Sequence, residues 1–595
     1  MQKHSFPLYI CLASLLFLWA GGAFFSFAQR TNSADRIYLI HADRLQQDNA
    51  EVFGAQRLNG KVHFRQGAMQ LRCDSAVLFT ETNTFRAFGH VHMTQADTIS
   101  LRSDSLFYDG NSQVADAYRH VILTHHKRVL TTNRMTYNRM TDIASYFDGG
   151  KLKDGTTVLT SIVGNYNLGT KEAEFIDDVF MVGKQYDSLK TNHLFYNTNT
   201  KWAHAVGNAN IFSGINKIYT EDGYYNTETQ EARLIFDTSH RHRPMITYQG
   251  KTMQGDSIHH SRATGLSRAW GNVIIKDPKG KRYLYGDYGF YRDSTNLIPP
   301  KSKRPINSEA MATGPRALVK DFSNSEDTLF IHADTLRLYS YHLKTDSTYR
   351  VVRAYPHVRI YRSDIQAVCE LLTYNSKAQR LTLQKDPIVW NNNRQVLGEE
   401  INLFSNDSTI DSVYVDRQCL LAEQVDSVHF NQVAGEEMRS YFRNGEMQEN
   451  HVNRNVLVIN YPLEKDSSIL YQNYLETTKL RMFLEHRRMT RLWTPAAEGT
   501  FYAIGTAPPE RNRLSNFTWF DYVRPLSKYD LFEHRTKRSG SELKASVRRA
   551  APVQHLHNNS AEDSASATPQ EAYPKPPTQT APISASKASR KTSKR

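Results

Sequence analysis

Apolar residues in this chain recur in a two-residue rhythm. An apolar–x–apolar step appears at Val62-His63-Phe64, Val91-His92-Met93, Val121-Ile122-Leu123, Val179-Phe180-Met181, Ala209-Asn210-Ile211, Val273-Ile274-Ile275, Val358-Arg359-Ile360 and Ile388-Val389-Trp390. The intervals from 62 to 91, 91 to 121, 179 to 209 and 358 to 388 are 29, 30, 30 and 30 residues, and the gap from 121 to 179 is 58, two such periods. A repeat of this length is one supersecondary unit stacked many times. A second phrase lies between the copies: a polar residue, an apolar one two later and an aromatic two after that. It reads Asp104-Ser105-Leu106-Phe107-Tyr108, Asn133-Arg134-Met135-Thr136-Tyr137 and Asn192-His193-Leu194-Phe195-Tyr196, with looser copies at 74–78, 287–291 and 370–374. Residues two apart share one face of a strand, and Val, Ile, Thr, Tyr and Phe suit a pleated surface.

Turn signals separate the phrases: Asp109-Gly110-Asn111-Ser112, Asp148-Gly149-Gly150, Asn197-Thr198-Asn199-Thr200 and Lys279-Gly280-Lys281. Gly and Asn accept the positive φ of tight hairpin turns. Each period therefore predicts two or three short antiparallel strands, and no stretch between Thr31 and Pro300 carries a sustained helical period. An ordinary β-sandwich is the alternative, but it closes after roughly seven to nine strands. This pattern continues well past that.

The pattern divides the chain. The densest repeats occupy 31–295. Residues 296–316, with Pro299-Pro300, Lys301, Arg304, Pro305 and Pro315, read as a linker or loop. Strand phrases resume over 317–505, with a strong strand at Val456 to Tyr461; Leu475 to Arg488 suits a pair of strands better than the alternative, a short helix. An aromatic segment at 506–536, containing Phe517, Trp519, Phe520 and Tyr522, is expected to cap the array or dock on a partner, because a repeat stack leaves its end strands unpaired. Residues 537–595 form a tail rich in Ser, Ala, Thr, Pro and Lys, which predicts disorder.

Composition changes this picture in three ways. The 595 residues, 39% hydrophobic, are too many for one compact core and suit one long array or several domains. Lys3 and His4 precede an apolar run from Leu8 to Phe27, and Ser26-Phe27-Ala28 fits a cleavage site; residues 1–28 read as a secretory signal peptide, with an uncleaved anchor as the alternative. Half of the formal charge of +14 is in the tail, where eleven Lys and Arg face four Asp and Glu, a net of +7. For an exported chain an anionic membrane surface or glycolipid is a better partner for that tail than nucleic acid; a solvated tail with no partner is the plain alternative.

Candidate chemistry is sparse. There is no Gly-rich phosphate loop and no nucleophile elbow. His125-His126 and His259-His260 are adjacent pairs whose members face opposite sides of a strand. His240-Arg241-His242 places two imidazoles on one face without a third ligand nearby. Beyond the leader, Cys73, Cys369 and Cys419 are widely spaced and odd in number, so at most one disulfide is possible, and burial as small apolar residues is expected. The repeating Asp and Asn of the second phrase suit structural hydrogen bonds at a strand edge or turn.

Gly60-Lys61-Val62-His63-Phe64, then Leu71-Arg72-Cys73-Asp74-Ser75-Ala76, then Phe88-Gly89-His90-Val91 resemble the OstA-like family, periplasmic lipopolysaccharide-transport proteins related to the LptA bridge component. Gly435-Glu436-Glu437-Met438-Arg439-Ser440-Tyr441-Phe442, Gly445-Glu446-Met447 and Asn460-Tyr461-Pro462-Leu463 are similar to the longer version found in Bacteroidetes. The resemblance spans roughly 37–491. It implies an all-β fold, an extended β-jellyroll (β-taco) built from repeated short antiparallel strands, with about 30 residues per repeat, folded as an open V around an apolar groove for lipid A acyl chains. It also implies a periplasmic location, no catalysis, no cofactor and no metal, and association with other jellyroll components by edge-strand addition. Groove candidates are the apolar phrase residues Val62, Phe64, Val91, Met93, Val121, Leu123, Val179, Met181, Val273 and Ile275; plain core packing is their alternative role. A structural or adhesive β-solenoid without lipid, and an exported hydrolase, are the competing functions.

Overall fold

The computed structural model describes residues 36–47, 55–183, 187–295, 303–322, 327–406, 410–444, 446–486 and 488–535. Residues 1–28, expected to be a signal peptide, and residues 537–595, expected to be a disordered tail, lie outside the described residues. The rest is an all-β, jellyroll-like array of antiparallel strands from Tyr38–His41 to Ala497–Ala503. Short helical turns occur at Pro509–Asn512, Asp521–Val523 and Asp530–Phe532, and Thr295 also has 3-10 geometry.

The strands are longer than the phrases suggest. Ala55–Gln66, Met69–Phe79, Thr84–Gln95, Ile99–Asp109, Val114–His125 and Arg128–Asn138 each carry 11 or 12 residues, so two long strands fill a period. Each is long because it serves two sheets. In alternate strands the ladder slips between Asn59 and Val62, Phe88 and Val91, and Tyr118 and Val121. The slips recur between Ile176 and Val179, and between Trp270 and Val273. At each slip two successive residues have positive φ: Gly60-Lys61, Gly89-His90, Arg119-His120, Asp177-Asp178 and Gly271-Asn272. Such a left-handed pair bends the strand sharply and carries it from one sheet into the facing one. The valine phrases begin just past these corners, so the thirty-residue period is the spacing of the corners.

Asp side chains brace the bends. Asp74 Oδ2 meets His90 Nδ1 at 2.7 Å, Asp104 Oδ2 meets His120 Nδ1 at 2.8 Å, and Asn272 Nδ2 donates to Asp256 Oδ2 at 2.8 Å, always 16 residues apart. Asp74 and Asp104 are the polar residues of the second phrase. Gly89 has φ +73°, and a Cβ there would lie 2.3 Å from Asp74 Oδ2. Glycine is required at that corner both by the backbone and by the brace.

Residues before the corner (55–59, 84–88, 114–118) join one sheet, and residues after it (62–66, 91–95, 121–125) join the second. The inner faces form one apolar core that runs from Leu58 to Leu480. The open V that the family resemblance implies is closed in this structure. The ring of Phe64 from the second sheet stacks on Phe85 from the first at 4.4 Å between centroids, and Phe85 meets Tyr108 at 5.2 Å.

Two features of the second half depart from the sequence reading. Within the expected linker, Ile306–Thr313 is a strand paired with Arg282–Asp293 and Thr335–Leu343. The sheet is continuous through that strand, which Pro305 precedes and Pro315 follows; residues 296–302 of the expected linker lie outside the described residues. The phrase at Ile388-Val389-Trp390 also has the opposite phase: Val389 faces the interior, while Ile388 and Trp390 belong to a second core on the outer face. The segment after Ala503 makes that second core. It runs back over the outer face of the second sheet and inserts Leu514, Phe520 and Val523. Four glutamines hold its backbone or side chains. Gln395 accepts from Phe520 N and donates to Thr518 O, both at 2.8 Å. Gln432 accepts from Leu514 N at 2.9 Å. Gln472 donates to Arg511 O, and Gln366 accepts from Arg524. The strap ends with Phe532 against His332. The aromatic segment thus docks on this chain's own sheet.

Candidate functional site

All ten groove candidates lie on the inner face of the second sheet, from 0 to 7% exposed. The corner explains their alignment. Because every phrase starts at the same distance from its bend, every copy meets its neighbour in register. Cross-strand pairing links Leu39 to Phe64, Phe64 to Leu71, Leu71 to Met93 and so on, through Leu123, Met181 and Ile275, to Leu475. Every member is apolar, and the row makes twenty-six strand-to-strand steps. At about 4.8 Å per step it is roughly 120 Å long.

Side chains of the two sheets meet beside this row, as Phe64 does Phe85. A cavity of about 60 Å³ lies between the sheets, lined by Ile275, Leu284 and Val319 on one side and Ala310, Leu338 and Val352 on the other. A second, of about 20 Å³, adjoins Tyr248 and Tyr291. These hold a few waters at most.

Opposite the corners, the two rims meet through buried polar groups that the apolar pattern does not reveal. Tyr108 donates to Gln66 Oε1, Gln66 donates to Gly110 O at 2.8 Å, and Arg139 donates to Gln95 at 2.8 Å. His125 Nδ1 meets Tyr166 Oη at 3.1 Å. Asp154 accepts from Tyr196 at 3.0 Å and from Lys201 at 2.6 Å. Asp187 accepts from Ser213, Tyr225, Gln230 and Arg262. Asn216 meets His260, and Tyr248 meets Thr295. In most cases one rim's last inward residue bonds a residue some forty positions later on the other rim; Ser213, 26 positions on, is a neighbour of Asp187 on the same rim, and Arg262 reaches it from 75 positions on. Tyr108, Tyr166, Tyr196 and Tyr225 carry the contact at nearly regular intervals. The available signal was the recurrence of Tyr, rather than Phe, at the end of the second phrase, since a buried phenol needs a hydrogen-bond partner.

Burial controls the titration of these groups. It holds the imidazoles of His125 and His260 down to about 4, so both are neutral at pH 7. It raises the Tyr196 and Tyr225 phenols, with Asp154 and Asp187 adding to the effect. At the exposed corner, the bond to Asp74 raises His90.

The remaining candidates have structural surroundings. His260 is inward and His259 outward against Trp270, as alternation requires. His240 and His242 lie outside any strand; His240 Nδ1 accepts from Asp237 N, and His242 pairs with Glu221. Cys73, Cys369 and Cys419 are buried and unpaired, and burial pushes each thiol up to about 12. Among the described residues no group of three or more His, Cys, Asp or Glu could hold a metal, and no helix is long and apolar enough to cross a membrane.

Residues 34–190 match the family described as OstA-like protein. This part of the chain is OstA-like. The OstA-like segment holds the first corners, the start of the apolar row and eight of the ten groove candidates. No curated protein matches the chain.

Proposed function

We propose that the chain is an exported scaffold that holds lipopolysaccharide acyl chains between its two sheets and passes them toward the outer membrane, without catalysis. The observation that carries this reading is the unbroken apolar row from Leu39 to Leu475. A packed core needs apolar volume, but it does not need one uninterrupted file running the length of the molecule. A path for a lipid tail does. The OstA-like segment supports it, because that family is related to lipopolysaccharide transport.

The sheets must part to admit a chain. They are joined by the strands through the corners and held at the rims by side chains, so opening at the rims leaves every strand intact. An acyl chain then replaces contacts such as Phe64 on Phe85. Each buried methylene contributes about 0.8 kcal/mol. Energy for directional movement comes from a partner, in a periplasmic setting. The end strands suit strand addition to other jellyrolls: Tyr38–His41 and Arg44–Gln47 expose Tyr38, Ile40 and Leu45 at one end, and Arg488–Trp493 and Ala497–Ala503 expose Trp493 and Phe501 at the other. The basic tail suits an anionic membrane surface.

The closed interior favours a second reading, a structural or adhesive β-solenoid without cargo. The two are separated by isolating the chain from its native envelope without detergent and weighing its organic extract by mass spectrometry. Lipid A-bearing species at a fixed ratio to protein are expected. No lipid above that released by an unrelated envelope protein isolated in parallel selects the solenoid.

A further inference from the structure

We propose that a lipid tail enters between the sheets at the cavity behind Leu284 and Leu338, and that the polar rim from Gln66 to Thr295 is a latch that yields only afterwards. This rests on the lipid-binding reading above and adds to it a place and an order of opening.

Two observations carry it. The first is the distribution of rim bonds. Those seen among the described residues run from Ile37–Asn83 and Gln66–Gly110 to Tyr248–Thr295, and their strongest members are buried and charged. Asp187 is almost fully enclosed and takes bonds from Ser213, Tyr225, Gln230 and Arg262 at once. Asp154, also buried, takes Lys201 and Tyr196. Parting the sheets here breaks several hydrogen bonds per repeat, and bonds that involve a charged group are the strong ones.

The second is a gap in the packing between the sheets. The larger cavity lies just past the latch, with apolar walls from both sheets. Lys251, Arg282 and Arg350 stand among its lining residues beside one acid, Asp277. Lys251 is 3.7 Å from Asp277, and Arg282 pairs with Asp321. Three cations around an apolar slot match an amphiphile with an anionic head: the tail takes the slot, and the head draws Lys251 or Arg282 from its carboxylate. The chemistry is a phosphate-bearing acyl lipid, which lipopolysaccharide and an anionic phospholipid share. From this point a tail can advance along the row by unzipping the latch one repeat at a time.

The test uses spin-label pairs across the rims of the full chain: Lys279→Cys with Lys344→Cys at the cavity, and Lys127→Cys with Thr170→Cys over the latch. All four positions are exposed, and Cys73, Cys369 and Cys419 are buried; Cys11 is replaced by Ser in every labelled chain. Distances are read by pulsed electron resonance as purified lipopolysaccharide is added, with bound lipid measured in the same samples by gel filtration. The 279–344 distance should lengthen at the lowest lipid concentrations, and the 127–170 distance only at higher ones. In a chain carrying Tyr166→Phe, Tyr196→Phe and Tyr225→Phe, which keeps the rings and removes the rim hydroxyls, the 127–170 pair should open at least fivefold earlier. An equal response to phosphatidylglycerol vesicles supports the same mouth with a phospholipid occupant. Opening of 127–170 together with or before 279–344, or an unchanged threshold in the triple variant, overturns the proposal. Lipid that binds without moving 279–344 overturns it while leaving the lipid-binding reading intact; absence of binding removes both.

Discussion

The strap offers the sharpest test of the packing. Phe520 is fully buried in the outer core with Trp390, Leu397 and Tyr461, and its backbone N–H bonds Gln395. Replacing Phe520 with Ala removes the ring and leaves a hole that the rigid sheet beneath cannot fill. Changes of this kind cost about 3–5 kcal/mol. Because the strap touches the array on one face only, that cost falls on its local detachment and not on the sheets. Every 1.4 kcal/mol is roughly a factor of ten in the opening equilibrium, so the amides of Leu514 and Phe520 should exchange with solvent about two to four decades faster. Amides in Ile99–Asp109, far along the array, should keep their rates. Hydrogen exchange followed by mass spectrometry reads both. Acceleration below tenfold at Leu514 and Phe520, or equal acceleration in Ile99–Asp109, refutes the idea of a separately detachable strap anchored by this ring.

Gly89→Ala forces a side chain into a left-handed corner and against Asp74, so it should destabilise the chain by about 1–2 kcal/mol, whereas Gly67→Ala, whose φ is also positive but whose Cβ meets nothing within 4 Å, should cost less; paired thermal melts compare them. Asp187→Ala leaves Arg262, Gln230 and Tyr225 facing an empty acceptor position and should cost about 3–5 kcal/mol, seen as urea unfolding earlier than that of a Gln66→Ala chain, which loses neutral rim bonds worth about 1–3 kcal/mol. His260 is 4% exposed and has its folded-state value near 4, below the unfolded 6.5, so the unfolded chain takes the proton first. Its contribution is complete above pH 6.5, falls as pH drops toward 4 and is flat below, a loss of roughly 2 kcal/mol at pH 5; His260→Gln should flatten that part of the melting-temperature profile.

The fold and the inner row were legible because both follow from a two-residue period repeated every thirty residues. Val62, Met93, Leu123 and Met181 announce their face by alternation alone. Glycine marks the corners at Gly60, Gly89 and Gly271, but those at Arg119-His120 and Asp177-Asp178 were not legible, because they adopt positive φ with no glycine to mark it. The rim was hidden because Tyr counts as apolar in a pattern, while its hydroxyl decides the contact with Asp154 or Asp187. The reversed phase at Ile388 and Trp390 has a distant cause: the strap residue Phe520 lies 125 positions beyond Gln395, and no local pattern announces a cover that remote. The length of the strands followed from the corners, since a strand that serves two sheets needs twice the residues.

The central claim, that acyl chains lie between the sheets, is tested most directly in cells. A photo-crosslinking residue placed at Phe64, Met93 or Met181 points inward, and one at His63 or His92 points outward. Irradiation should give lipopolysaccharide adducts at the three inward positions and none at the two outward ones. Equal labelling in both registers, or no labelling at all, contradicts the account.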